Sequence, residues 1–111
     1  MDRIEFLKNS IIQVFDKYAD YPHMPEGVKY EKIIDEKNLR FQLIRHGWTK
    51  GKQVYAVIFH VDIIRDKIWI HQDNTEVAIA NLLVEKGVEK KEIVLGYFSE
   101  NRRKYSEFAI A

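Results

Sequence analysis

The chain has 111 residues, enough for one domain that buries a single core without a disulfide or a metal. It contains no cysteine, which excludes thiol catalysis, thiolate zinc sites and a disulfide framework. Its 18 Lys and Arg residues face 17 Asp and Glu residues, so the formal net charge of +1 provides no general attraction for nucleic acid. No segment resembles a signal peptide or a membrane span, so we expect one cytoplasmic domain over residues 1–111.

Near the N-terminus, apolar residues recur at steps of three and four and predict an amphipathic helix from residue 3 to about residue 19. The positions are Ile4, Leu7, Ile11, Val14, Phe15 and Tyr18. The helix should end before Tyr21-Pro22, because a residue that precedes proline disfavours helical angles. The segment that follows contains both prolines and is too short to separate two domains.

From Val28 onward the apolar period changes to two, which is typical of strands. The pattern predicts a strand from Val28 to Ile34, a turn at residues 36–38 and a second strand from Leu39 to Trp48. After a loop at residues 48–52, the long β-branched run 53–64 predicts a central strand. Residues 67–72 pair back onto it across a two-residue turn at Arg65-Asp66, giving a meander of about four antiparallel strands.

Residues 75–87 predict a second helix, with Gly87 placed where a C-terminal cap requires positive φ. Residues 89–92 can add one turn, residues 92–98 form a short strand or extended segment, and the tail returns to the sheet or to a partner. The predicted fold class is α+β: an N-terminal helix, a mostly antiparallel sheet of four to six strands, and a second helix packed on one face. The edges of so small a sheet need cover, so we also consider a homodimer.

One candidate functional cluster lies on the hairpin that joins the third and fourth predicted strands. In the predicted register His60 faces His71 and Asp62 faces Trp69, and alternation places all four side chains on one face. Two imidazoles and a carboxylate could ligate zinc or carry out acid–base chemistry. The alternative is a half-exposed polar face, which we favour because cross-strand polar pairs are common. We therefore predict no catalytic residue, no metal and no cofactor.

Two further groups of polar residues have structural and functional interpretations. Asp73 and Glu76 match a capping box at the start of the second helix, with Thr75 as an alternative cap. Arg102, Arg103 and Lys104 lie near three aromatic residues and could contact phosphates, or an acidic partner. The neutral net charge makes direct DNA contact the less favoured interpretation of these basic residues. The sequence has no glycine-rich phosphate loop and no nucleophile elbow.

Several motifs together carry a family resemblance over nearly the whole chain. They are His60-x-Asp62, Lys67-Ile68-Trp69-Ile70, Asp73-x-Thr75-Glu76, Gly87, Ile93-Val94-Leu95-Gly96 and Glu107-Phe108-Ala109. In these motifs the chain closely resembles the XisI-like family, the fdxN-element excision controlling factors of cyanobacteria. It departs from the family pattern at Arg65-Asp66, where an Asp-Gly turn is common, and at Asn74, where glycine is common. A histidine-proline segment of the family is replaced here by Phe98-Ser99-Glu100.

The resemblance implies a role in the controlled excision of a DNA element during heterocyst development. It also implies a companion, XisH, which resembles a restriction-type nuclease, and it brings no established enzymatic activity. We therefore expect a non-enzymatic controlling factor that acts as partner subunit of a XisH-like nuclease. Two alternatives stay open. One is a metal-assisted hydrolase or nuclease that uses His60, Asp62 and His71, with Asp73 as a further candidate. The other is a DNA-binding accessory protein that uses the loop of Arg102, Arg103 and Lys104.

Overall fold

The N-terminal helix is present where the sequence predicts it. A computed structural model describes residues 2–20 and 24–111, and in it α1 spans Arg3–Ala19. The Asp2 side chain caps the helix by accepting a hydrogen bond from the backbone N–H of Glu5 at 2.8 Å. The predicted stop at Tyr21-Pro22 lies outside the described residues. No helix in the described part of the chain is long and apolar enough to cross a membrane.

The strands form one five-stranded sheet in the order β1-β2-β3-β4-β5. The first four strands make the predicted antiparallel meander, and β5 joins parallel to β4. Their bounds are β1 Val28–Asp35, β2 Arg40–Thr49, β3 Lys52–Ile64, β4 Lys67–Asp73 and β5 Ile93–Leu95. The α+β class with a mostly antiparallel sheet is therefore confirmed.

Two tight turns fix the register of the meander. Arg65 and Asp66 join β3 to β4 as predicted, with φ values of 51° and 65° that glycine or asparagine adopts more easily. Lys50 and Gly51 join β2 to β3, so this connection is shorter than the predicted loop. Leu39 has a φ of 58°, which excludes it from β2, and the strand begins one residue later than predicted.

The predicted pairing of the β3–β4 hairpin is correct at its tip and wrong further along. Asp62 faces Trp69, as predicted. The register then shifts between His60 and Val61, so that His60 faces Gln72 and not His71. A β-bulge places one extra residue in a strand, and it accounts for the difference.

The second helix, α2, spans Ile79–Glu85 and connects β4 to β5. Gly87 has a φ of 105°, and its N–H donates to the carbonyl of Val84, while the N–H of Val88 donates to the carbonyl of Leu83. These two bonds form a Schellman cap, as predicted for Gly87. Residues 90–92 then form one turn of 3₁₀ helix, and the short helix α3 spans Glu100–Arg103.

The core lies between the two longer helices and one face of the sheet. Phe15 of α1 stacks on Phe59 of β3 with ring centroids 5.7 Å apart, at the centre of this layer. Fully buried partners come from every layer: Leu7, Ile11, Phe41, Leu43, Val61, Ile68, Ile70, Ile79, Leu83 and Ile93. The two-layer arrangement leaves the other face of the sheet without α1 or α2, and we refer to it as the open face.

The open face presents the alternate side chains of the sheet strands. Strand alternation and register assign to it Glu31, Ile33, Arg40, Gln42, Ile44, His46, Trp48, Tyr55, His60, Asp62, Ile64, Lys67, Trp69 and His71. Beyond β5, the N–H of Ala109 donates to the carbonyl of Ile93 at 2.8 Å. The tail therefore returns to the sheet and lies along the outer edge of β5.

Candidate functional site

The candidate cluster on the open face is organised around the carboxylate of Asp62. This side chain is only 9% exposed. His71 Nε2 donates to its Oδ2 at 2.9 Å, His60 Nε2 lies 3.3 Å from Oδ1, and Arg40 Nε lies 3.6 Å from Oδ2. Because a carboxylate is an acceptor only, the bond from His71 requires the Nε2–H form of that ring.

The structure thus brings together all four residues of the predicted cluster. The rings of His60 and His71 meet edge to face with centroids 5.0 Å apart, although their backbones are not paired. Trp69 stacks beside His71 at a centroid distance of 6.4 Å. The cluster ties β2, β3 and β4 together, since Arg40, Asp62 and His71 come from three successive strands.

These groups are held by one hydrogen bond, from His71 to Asp62, and by two longer contacts of Asp62 with His60 and Arg40. His60 Nε2 is directed at Oδ1 of Asp62, and His71 Nε2 is directed at Oδ2. The two nitrogens therefore do not point at a common position where a metal ion could bind. Within residues 2–20 and 24–111, no group of three or more His, Asp or Glu side chains is arranged to hold a metal ion. Asp62 Oδ1 is buried and has no hydrogen-bond partner of good geometry among the described residues. The cluster therefore leaves one buried polar atom without a hydrogen bond.

Arg103 extends the cluster into the tail, a contact that sequence reasoning missed. Its guanidinium lies 5.1 Å from the ring centroid of Trp69. The same group donates to the carbonyls of Phe98 and Ile110 at 3.0 and 3.1 Å. These bonds use two of the five guanidinium N–H donors, and together with the contact to Trp69 they tie the tail to the open face.

The other two basic residues of this segment are exposed. Arg102 lies over the ring of Phe98 at 4.1 Å, and Lys104 ends α3. The structure therefore separates the predicted trio Arg102, Arg103 and Lys104 into one tail anchor and two exposed cations.

The predicted capping box at Asp73 and Glu76 is wrong in its second member. Asp73 is the last residue of β4, and its Oδ2 accepts from the N–H of Ile79, the first residue of α2, at 2.7 Å. Its Oδ1 accepts from the N–H and hydroxyl of Thr75. Glu76 is exposed in the intervening loop, and no described residue bonds to it. The helix starts later than predicted because the loop continues to Ala78, which has a φ of 53°.

A second surface feature of the open face was not singled out from the sequence. The side chains of Trp48 and Tyr55 are 63% and 64% exposed, and they lie on neighbouring strands, with Tyr55 opposite His46 and Trp48 two residues further along β2. His46 on the same face donates to Glu31 at 2.7 Å. Alternation from Gln42 to Trp48 could have revealed this surface, because a tryptophan in a polar row is a signal of exposure.

Known structures match this chain over its whole length. The family model described as XisI protein matches residues 1–110. The crystal structure of a XisI-like protein from Anabaena variabilis ATCC 29413 is 26% identical with a TM-score of 0.89, and covers 99% of this chain and 100% of its own. The crystal structure of the fdxN element excision controlling factor XisI from the same organism is 32% identical with a TM-score of 0.82, at the same coverage. No curated protein matches the chain. The chain therefore belongs to the XisI protein family.

Proposed function

We propose that this protein is a non-enzymatic controlling factor for the excision of a DNA element, acting as a subunit that binds a XisH-like nuclease. The observation that carries the proposal is the end-to-end match to a structure that is named as the fdxN element excision controlling factor XisI, at 32% identity. The family model covers the same length. A regulatory role transfers with such a match, and the nuclease partner is the more specific part of the proposal.

The candidate cluster supports a binding role over a chemical one. His60, His71 and Arg40 each direct a nitrogen at Asp62, so these contacts join strands β2, β3 and β4. A catalytic base must reach the proton that it removes from a substrate. The Nε2 atoms of both imidazoles are directed at the carboxylate of Asp62 instead.

The open face offers a surface of the composition that partner proteins recognise. Trp48 and Tyr55 are exposed aromatic residues on neighbouring strands, and Ile33 on the same face is 43% exposed. Tryptophan and tyrosine are enriched in protein interfaces and among the residues that dominate their binding energy. We therefore assign Trp48 and Tyr55 as the centre of the partner-binding surface.

The first prediction tests the complex and the surface together. Co-expression with the XisH-like protein of the same organism should give a defined hetero-complex by native mass spectrometry. The double variant Trp48→Ala with Tyr55→Ala should weaken it by roughly tenfold or more, because it removes both aromatic anchors. DNA cleavage by the partner, measured with and without this protein, then shows whether the partner is restrained or directed.

The matched control is Tyr105→Ala, which removes an aromatic side chain that is 90% exposed and lies on the tail instead of the strands. It should leave the complex unchanged. Failure to form any complex would contradict the nuclease-partner proposal. Equal weakening by both substitutions would contradict the assigned surface while leaving the partner in place.

A further inference from the structure

The outer edge of β1 is the one sheet edge that the described residues leave uncovered. At the other edge, the tail bonds to β5 through Ala109. Beside β1, nothing within residues 2–20 and 24–111 pairs with the side that faces away from β2. An uncovered edge presents unpaired N–H and C=O groups, and proteins either protect such an edge or use it for pairing.

The register of the sheet shows which backbone groups this edge presents. The N–H of Trp48 donates to the carbonyl of Gly27, and the N–H of Ile63 donates to the carbonyl of Leu39. Hydrogen-bonded pairs alternate along an antiparallel ladder, so both bonds indicate that the odd-numbered residues of β1 bond to β2. The backbone groups of Tyr30, Lys32 and Ile34 therefore point outward.

We propose that a second copy of this chain pairs with this edge, giving a homodimer with antiparallel β1 strands and one continuous ten-stranded sheet. A two-fold axis perpendicular to the sheet keeps each face on its own side. Because side chains alternate between the two faces, residues that face each other across the axis must both be even-numbered or both be odd-numbered. Placing the axis at Lys32 lets Lys32 bond to its own copy and Tyr30 bond to Ile34 of the other protomer. This proposal goes beyond the controlling role and does not depend on the nuclease.

Charge complementarity selects this register over its neighbours. With the axis at Lys32, Lys29 of each protomer faces Asp35 of the other at both ends of the pairing. Moving the axis to Glu31 would place two glutamates directly opposite each other, and like charges in opposed positions are destabilising. The Lys32 pair on the axis is tolerable, because each ammonium is already paired with Asp16 of its own α1 helix.

The side chains next to the axis are suited to close contact. On the helix side, half-buried Tyr30 meets half-buried Ile34 of the other copy. On the open face, Ile33 is 43% exposed and would pack over the stem of Glu31 of the other copy. Lys29 has no ion-pair partner among the described residues, so its ammonium is available for Asp35 of the other copy.

The second prediction tests the backbone pairing with the purified full chain alone. Sedimentation velocity from about 1 µM to about 1 mM, which brackets the dissociation constants of small interfaces, should show a dimer. Lys32→Pro removes an outward N–H without touching the bonds to β2. It should raise the dissociation constant by roughly tenfold or more. Lys32→Ala is the matched control, since it removes the same ion pair and keeps the N–H.

A charge exchange tests the register. Lys29→Glu and Asp35→Lys should each weaken the dimer, because each places like charges at both ends. Mixing the two variants should restore a dimer, since both contacts between them then join opposite charges. A wild-type chain that stays monomeric would overturn the proposal. So would a dimer that Lys32→Pro leaves intact, or variants that fail to pair when mixed although each is folded by circular dichroism.

Discussion

At the scale of single residues, Asp62 determines how the candidate site behaves. Its carboxylate is buried, and three side chains from neighbouring strand positions converge on it. Removing one member of a buried charged group leaves the others unpaired. This lowers the stability of the fold far more than the same change at an exposed site. The network is therefore expected to stabilise the hairpin and to hold His60 and His71 in fixed positions.

The third prediction compares Asp62 with an exposed carboxylate. Asp62→Ala should lower the free energy of unfolding by about 2 kcal/mol, because the imidazoles and Arg40 lose their common acceptor. Asp16→Ala, which removes the 54%-exposed partner of Lys32, should cost less than about 1 kcal/mol. Urea denaturation measures both values. Similar losses for the two variants would show that Asp62 carries no special role.

Individual residue types were enough to predict the members of the cluster, because alternation assigns a face to each residue of a strand. They could not predict that His60 pairs with Gln72, since a bulge inserts one residue without any change in composition. Nor could they predict the tie from Arg103 to Trp69, which joins residues far apart in the sequence. Such contacts depend on the path of the tail, which local patterns do not encode.

At the scale of the elements, two turns with the same length differ in their chemistry. Arg65 and Asp66 adopt positive φ without a glycine, whereas the Lys50-Gly51 turn uses one. Residues other than glycine and asparagine pay a conformational cost in this region. The β3–β4 turn therefore lowers the stability of the fold, and the rest of the hairpin must offset it.

The fourth prediction replaces the strained turn by a favourable one. Changing Arg65→Asn together with Asp66→Gly should raise the free energy of unfolding by about 1 kcal/mol, because Asn-Gly prefers the observed angles. In the other turn, Gly51→Ala should lower the free energy of unfolding by about 1 kcal/mol. The cause would be the backbone conformation alone, since a Cβ at Gly51 would meet no atom within 4 Å. Thermal unfolding compares the two. A destabilised Asn-Gly variant would contradict this account of the turn.

The fifth prediction concerns the contact between α1 and the 3₁₀ turn before β5. Arg3 hydrogen-bonds to Glu92, and this bond is the main reason that the pKa of Glu92 lies below its ordinary value. A depressed pKa in the folded state contributes stability above the unfolded pKa and loses it as the pH falls through the folded value. The stability advantage of the wild type over Glu92→Gln should therefore be present at neutral pH and shrink in acid.

Arg3→Met supplies the control for this pH dependence. It leaves Glu92 in place and removes the guanidinium that lowers its pKa. In this background the difference between glutamate and glutamine should lose most of its dependence on pH. An advantage that stayed constant into strong acid would contradict a role for the ionised pair.

At the scale of the whole molecule, the helix-and-meander plan followed from the periods of the apolar residues. Helical spacing gave α1, alternation gave four strands, and Gly87 marked the end of α2. The late start of α2 was missed because Asp73 acts across a loop, binding the N–H of Ile79 from the end of β4. The open face emerged only once both helices were seen to pack on the same side.

The parallel placement of β5 has a consequence for the chain during its synthesis. The hairpins of the meander can close as they leave the ribosome, since each strand pairs with the one before it. Strand β4, with buried Ile68 and Ile70, must wait for α2 and β5 to be made before its outer side is covered. Over this interval the nascent chain thus carries an unpaired strand edge beside uncovered core residues, and newly made proteins associate wrongly or recruit chaperones at such places.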